Sequence, residues 1–266
     1  MKVVLFCGGL GTRLREHSDT IPKPLVTIGY RPILWHLMRY YAHYGHRDFI
    51  LCLGHRGDLI REYFLSYQET MTNDFTLNAK NRSIELKSTD LDDWRITFVD
   101  TGLHSNIGQR LLRVKSYLAR EEVFLANYAD GLSDLPLERL IQFAKTRGSV
   151  ATFAAVKSSQ SFHAVHSDGD GYVTRMGAMP DQPLWINGGY FVLRREIFDY
   201  IEEGEELVEK PFERLIDRRC LATFQWDGFW QCMDTFKDKI SFDRMEARGQ
   251  CPWMVWRKHP SAAPLT

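Results

Sequence analysis

From its third residue the chain alternates short apolar runs with segments of helical periodicity, and this alternation limits its fold more than any other feature. Val3–Phe6, Phe49–Leu53, Ile96–Val99, Val123–Ala126 and Val150–Val156 read as buried strands. Between the first two, Pro32–Tyr41 is apolar at 33, 34, 37, 40 and 41, with Pro32 at its start and Gly45 beyond its end, which is helix punctuation. A second helix carries Leu137, Leu140, Ile141 and Ala144, with Ser133 or Asp134 as its cap and Gly148 as its stop. The expected fold is α/β: a doubly wound, mainly parallel, Rossmann-like sheet with helices on both faces and ligands at the carboxyl ends of its strands. Residues 67–94 are polar and contain Asn73-Asp74 and Asp90-Leu91-Asp92-Asp93, so an inserted β-ribbon is expected there. Residues 1–256 form one domain, and 257–266, with two prolines and two alanines, form a flexible tail.

The 266 residues suffice for one large α/β domain with a substantial core. Lys+Arg and Asp+Glu number 34 each, which argues against nucleic-acid binding through a basic surface. Arg218-Arg219 and scattered lysines read as a solvated helix face. A phosphorylated small molecule needs only a few local donors and stays possible. No apolar run approaches the roughly 20 residues of a membrane helix, and glycines follow the first strand too early for a secretory leader. Five cysteines, without CxxC spacing, predict neither a disulfide framework nor a zinc site, and point to the cytoplasm. His36, His43 and His46 straddle a helix end and read as amphipathic surface histidines rather than metal ligands.

Directly after the first strand comes Gly8-Gly9-Leu10-Gly11-Thr12-Arg13-Leu14. Glycines let the backbone turn tightly and aim successive N–H groups at phosphate oxygens, and Arg13 adds a planar cation. A dinucleotide-binding GxGxxG needs glycine where Leu14 stands, and a P-loop needs Gly-Lys-Ser/Thr where Gly11-Thr12-Arg13 stands. Neither fits. Pro22-Lys23-Pro24 follows, with prolines fixing the backbone around a single lysine.

The glycine segment, Pro22-Lys23-Pro24 and Ile33-Leu34-Trp35-His36 together resemble the sugar-1-phosphate nucleotidyltransferase family. The resemblance runs on through Val99-Asp100-Thr101-Gly102, Gly108-Gln109-Arg110-Leu111, Tyr128-Ala129-Asp130-Gly131 and Ile186-Asn187-Gly188-Gly189. It continues to Gly228-Phe229-Trp230-Gln231-Cys232-Met233-Asp234-Thr235, which looks most like the glucose-1-phosphate cytidylyltransferase branch. It implies transfer of a nucleotidyl group, CMP from CTP, to a sugar-1-phosphate with release of pyrophosphate. A nucleotide-binding half at about 1–135 and an acceptor-binding half at about 136–256 are implied as well.

The resemblance also implies roles. Gly8, Gly9, Gly11, Thr12 and Arg13 would cradle the leaving phosphates, and Lys23 would meet the α-phosphate. Arg110 and Tyr128 match nucleotide- or sugar-contacting positions, and Asn187 and Gly188 match the segment that holds the sugar. Asp130 and Asp234 match the ligands of a Mg²⁺ cofactor, which takes few protein carboxylates and fills its shell with phosphate and water. Attack by a phosphate oxygen on the α-phosphorus needs positioning and charge neutralisation rather than a side-chain nucleophile, so Arg13, Lys23 and Asp130 form the expected catalytic set. Relatives commonly assemble, so a homo-oligomer is expected. Phe224–Trp230, Trp253 and Trp256 suit either a subunit interface or the core.

Two departures fall in the acceptor half. Where relatives carry Glu-Lys-Pro, this chain has Ala178-Met179-Pro180, and where they carry an aromatic-Gly pair it has Phe162-His163. A cation is lost at Met179 and volume is gained at His163, so a phosphorylated acceptor other than glucose-1-phosphate is a second expectation. Arg175 and a protonated His163 are candidate replacement charges. A non-catalytic nucleotide-sugar sensor on the same fold would have little reason to keep Arg13, Lys23, Asp130 and Asp234 together. A dinucleotide-dependent oxidoreductase is disfavoured by Leu14 and by Leu51-Cys52-Leu53-Gly54, which offers no acidic residue for a ribose.

Overall fold

A computed structural model describes residues 1–9, 21–89, 93–157, 163–178 and 184–257. Strand β1 (Val3–Phe6) is buried at all four positions, as a strand covered on both faces must be. A short ribbon of β2 (Thr27–Ile28) and β3 (Arg31–Pro32) leads into α1 (Ile33–His43), β4 (Asp48–Leu53) and α2 (Gly57–Leu65). A hairpin of β5 (Phe75–Asn78) and β6 (Ser83–Leu86) precedes β7 (Arg95–Asp100), α3 (Ile107–Arg113), β8 (Val123–Asn127) and β9 (Gly131–Ser133). Then come α4 (Leu137–Arg147), β10 (Ala151–Lys157), a second hairpin of β11 (His163–Ser167) and β12 (Val173–Ala178), and the long β13 (Trp185–Arg194). The last elements are α5 (Lys210–Asp217), β14 (Leu221–Trp226), β15 (Trp230–Cys232) and α6 (Phe236–Ala247).

The main sheet runs β14-β10-β13-β8-β1-β4-β7. Its pairs are parallel except at β13, which runs against both neighbours. Side chains alternate between two cores, as strand geometry requires. Val3, Leu5, Leu51 and Leu53 pack with α1, α4 and Phe242 of α6, whereas Val4, Phe6, Ile50 and Cys52 pack with Leu111, Phe198 and α5. Helices therefore cover both faces, and the fold is the doubly wound one expected.

The excursion at 67–94 contains the β5–β6 hairpin, exposed throughout. It is tied back by the Arg31 guanidinium, which donates to Tyr67 Oη and, at 3.1 Å, to the Thr72 carbonyl. Two local readings need correction. Helix α4 is capped by neither Ser133 nor Asp134, because its N-cap is Pro136 without a side-chain cap. Ser133 instead donates to the Phe229 carbonyl at 2.6 Å, and Asp134 accepts from Trp226 Nε1 at 2.8 Å, so both are spent on joining the end of β9 to β14 and the chain that follows it. His36 is not a surface residue: it is 2% exposed, while His43 is exposed and His46 half-buried. Of the two places open to the C-terminal aromatics, Phe224, Trp226, Phe229 and Trp230 pack, partly buried, against the core, and Trp253 is buried within it. Of the expected tail, only Arg257 lies within the described residues.

Candidate active site

Three chain segments meet at the carboxyl end of β1. After Phe6, the Cys7 amide donates to the Cys52 carbonyl at 2.9 Å and extends the ladder by one rung. The Gly8 carbonyl then accepts from Arg110 Nη2 at 2.9 Å and from the His55 amide at 3.2 Å. A Cβ at Gly8 would lie 2.0 Å from Arg110 Nη1, so glycine is required there by close approach. Gly9 is exposed with open space around it. Gly11, Thr12 and Arg13 lie outside the described residues.

Arg110 does not reach outward to solvent. It is 3% exposed, and its Nη1 donates to the Leu53 carbonyl (3.1 Å), Thr101 Oγ1 (2.7 Å) and the Gly102 carbonyl (3.0 Å). Helix α3 presents it through a capping box in which Asn106 accepts from the Gln109 amide and Gln109 from the Asn106 amide. The guanidinium clamps the ends of β1, β4 and β7 from beneath. Burial pulls its pKa down.

Lys23 opens a single 3-10 turn, Lys23–Leu25, between Pro22 and the buried Pro24. Its ammonium sits between two carboxylates, 2.7 Å from Asp130 Oδ2 and 2.5 Å from Asp234 Oδ1. Burial alone would lower the Lys23 pKa, but Asp130 and Asp234 outweigh it and hold the ammonium above its usual value. Asp130 itself is pushed up by burial, with Lys23 opposing. The two aspartates, far apart in sequence, converge because β9 pairs with β15, opposing Gly131 to Cys232, while the Met233 amide donates to the Asp130 carbonyl at 2.8 Å. Asp130 is aimed by an elbow in which Ala129 takes φ +65, a left-handed conformation that an L side chain adopts at a cost. Asn127 holds that elbow: its Oδ1 accepts from the Ala129 amide at 3.0 Å, and its Nδ2 donates to Tyr41 Oη at 3.2 Å. Asp234 precedes Thr235, the N-cap of α6, and accepts from the Cys232 thiol at 3.5 Å.

Both carboxylates are hard oxygen donors, and the ammonium between them shows that they can share one cation. That donor set fits Mg²⁺. Among the described residues no group of three or more His, Cys, Asp or Glu side chains is placed to hold a metal, so the rest of its shell would come from phosphate and water.

Tyr128 links this centre to the acceptor half. Its Oη accepts from Asn187 Nδ2 at 3.0 Å, and Asn187 Oδ1 accepts from the Gly189 amide at 2.9 Å. Gly189 has φ +76, and a Cβ there would meet the Tyr128 ring at 2.7 Å. The Gly188 carbonyl accepts from Trp230 Nε1 at 2.9 Å. At the far side, β11 and β12 pair so that His163 opposes Ala178, the residue before Met179. The departure at His163 thus falls at one end of this hairpin; Phe162 and Met179 lie outside the described residues. Arg175 is exposed and pairs with His166. Within β12 it stands three residues before Ala178, about 10 Å at the usual rise.

Sequence reasoning missed Tyr41, Asn127, Thr101 and Trp230 as supports. Asn127 had one signal, a polar residue ending an apolar run just before Asp130.

A family model for nucleotidyl transferases matches residues 2–238. A Salmonella typhi protein named glucose-1-phosphate cytidylyltransferase is 39% identical over 261 residues, covering 96% of this chain and all of its own length. A Bacillus subtilis protein named probable glucose-1-phosphate cytidylyltransferase is 38% identical over 258 residues, with the same coverage. Among solved structures, a UDP-glucose pyrophosphorylase complexed with UDP-glucose superposes with TM-score 0.66 at 15% identity, over 93% of this chain and 98% of that one. HddC from Yersinia pseudotuberculosis, complexed with GMP-PN, superposes with TM-score 0.65 at 19% identity, over 92% of this chain and 99% of that one. With its sheet order, its paired aspartates and these matches in agreement, the chain belongs to the nucleotidyl transferase family of enzymes.

Proposed function

We propose that the protein transfers a cytidylyl group from CTP to a sugar-1-phosphate, glucose-1-phosphate or a close analogue, and releases pyrophosphate. The observation that carries this reading is the meeting of Lys23, Asp130 and Asp234 beside the glycine turn, in a chain 38–39% identical to proteins named for that activity. A phosphate oxygen of the acceptor attacks the α-phosphorus while the bond to the bridging oxygen breaks, and the departing pyrophosphate takes that electron pair. Lys23 offsets charge on the α-phosphoryl oxygens, Arg13 offsets charge on the leaving phosphates, and Gly8 and Gly9 admit the backbone close to them. Asp130 and Asp234 would hold Mg²⁺, which neutralises phosphate oxygens when bound. Tyr128, Asn187 and Gly188 position the acceptor sugar.

A second acceptor is favoured by one observation, the placing of His163 opposite Ala178 at the end of the β11–β12 hairpin. Pyrophosphate release should be measured for CTP, UTP, GTP and dTTP against a panel of phosphorylated acceptors. CTP should give the highest kcat/KM, and no turnover with CTP on any acceptor would overturn the reading. If glucose-1-phosphate gives the highest kcat/KM, the altered-acceptor reading fails. Lys23→Ala and Asp130→Asn should each lower turnover at least about a hundredfold, roughly 2.7 kcal/mol of transition-state stabilisation.

The proposal extends to location and assembly. All five cysteines are unpaired, which suits a reducing cytoplasm, and among the described residues no helix is long and apolar enough to cross a membrane. Phe75 opposes Leu86 and Leu77 opposes Ile84 on the β5–β6 hairpin, giving an exposed apolar face that supports self-association. Sedimentation velocity should show an oligomer that Leu77→Glu reduces in size; a monomeric wild type would overturn this part.

A further inference from the structure

We propose that Lys23 serves as a resident cation for the Asp130–Asp234 pair, so that a divalent ion must displace its ammonium and is admitted together with a polyphosphate that takes the ammonium over. The inference rests on the reading of this pair as the metal site and adds an order of entry to it. Two half-buried carboxylates held side by side repel each other, and the β9–β15 pairing gives them no freedom to separate. Lys23 relieves that repulsion by contacting one oxygen of each carboxylate. On Asp234, Oδ2 accepts from the Cys232 thiol at 3.5 Å and Oδ1 accepts from Lys23, so Oδ1 is an oxygen that ammonium and ion would contest. The same oxygens cannot serve the ammonium and a divalent ion at once.

The local chain suits an exchange. Pro22 and Pro24 fix the backbone on either side of Lys23, and the Val26 amide donates to its carbonyl at 3.1 Å, so the turn stays in place. The four-carbon side chain can swing by rotamer change alone. Taken together, these three side chains carry one ammonium against two carboxylates, a balance that favours exchange of the ammonium for a divalent ion. Once the ion is seated the carboxylates are neutralised, and the released ammonium adds a positive charge at the place where phosphate arrives. Ion and nucleotide therefore favour each other reciprocally, by an equal factor in each direction.

The test uses Mn²⁺ as probe and electron paramagnetic resonance of the free ion as readout, on the intact protein without nucleotide. Lys23→Met should bind Mn²⁺ at least about tenfold more tightly than wild type. A non-hydrolysable CTP analogue should tighten Mn²⁺ binding strongly in wild type and little in Lys23→Met. Lys239→Met removes a positive charge from α6, where Lys239 pairs with Asp243, and should change the affinity by less than about threefold. Lys23→Gln replaces Lys23→Met if the latter does not fold, with the same expectation. Equal Mn²⁺ affinity in wild type and the Lys23 variant overturns the inference, as does an equal gain in Lys239→Met. Tight Mn²⁺ binding that survives Asp130→Asn in the Lys23→Met background would instead overturn the metal-site reading. Pyrophosphate release by wild type decides the activity independently of either result.

Discussion

At the scale of single residues, Arg110 has the most to say about how the glycine turn is held. Among the described residues this cation touches no carboxylate and is kept in the interior by carbonyls of residues 8, 53 and 102 and by one hydroxyl. Its removal leaves those acceptors unsatisfied rather than merely deleting a contact. Arg110→Met should therefore cost about 3 kcal/mol in urea denaturation and raise the KM for nucleotide. A loss of activity at unchanged stability would show instead that Arg110 acts on substrate alone. Gly8→Ala sends its methyl group into the same guanidinium and should lower kcat/KM more than about tenfold, or 1.4 kcal/mol. The places of Gly8 and Asp130 were legible in the sequence because strand–glycine and strand–Asp-Gly junctions mark strand ends, whereas Lys23 and Asp234 stood out only through the family resemblance. Their supports were not legible: Thr101 and Asn127 act through partners on other strands, and no local pattern announces a partner.

At the scale of elements, periodicity located the strands whose both faces are covered. All five expected strands form, each within one residue of its expected limits. It failed where a second signal competed. The long β13 contains Asn187-Gly188-Gly189, which locally reads as a turn, and it is the pairing with β8 and β10 that makes it a strand. Helix α4 shows the opposite outcome, since Gly148 ends it in the left-handed conformation, φ +63, with nothing near its missing side chain. Gly148→Ala should thus act through backbone strain alone, costing about 1 kcal/mol and lowering Tm by about 2–4 °C. An unchanged Tm would mean that the α4 terminus relaxes.

At the scale of the whole molecule, the C-terminal segment closes over α1 and fixes the charge state of His36. Trp253 Nε1 donates to His36 Nδ1 at 3.4 Å, which leaves the proton on Nε2, 3.3 Å from the Ile28 carbonyl. Burial pulls the His36 pKa down to about 4. Between that value and the ordinary one near 6.5, the unfolded chain binds a proton that the folded chain refuses. Stability therefore falls as pH drops through this window, by about 3 kcal/mol at its acid end from this residue. His36→Gln, which keeps a donor for Ile28, should flatten the dependence of the urea midpoint on pH between 7 and 5. A slope unchanged by the substitution would assign the acid sensitivity elsewhere.

The reversed direction of β13 has a bearing on how such a protein could change over time. Because that strand enters the sheet at the end where its neighbours leave it, the β11–β12 hairpin hangs from the active-site rim as a separate two-stranded sheet. Its sequence can drift, as at His163, without disturbing a rung of the main sheet. The hairpin can in that sense be exchanged like a jaw: swapping residues 158–184 between relatives should change which acceptor gives the highest kcat/KM while the main sheet stays as it is.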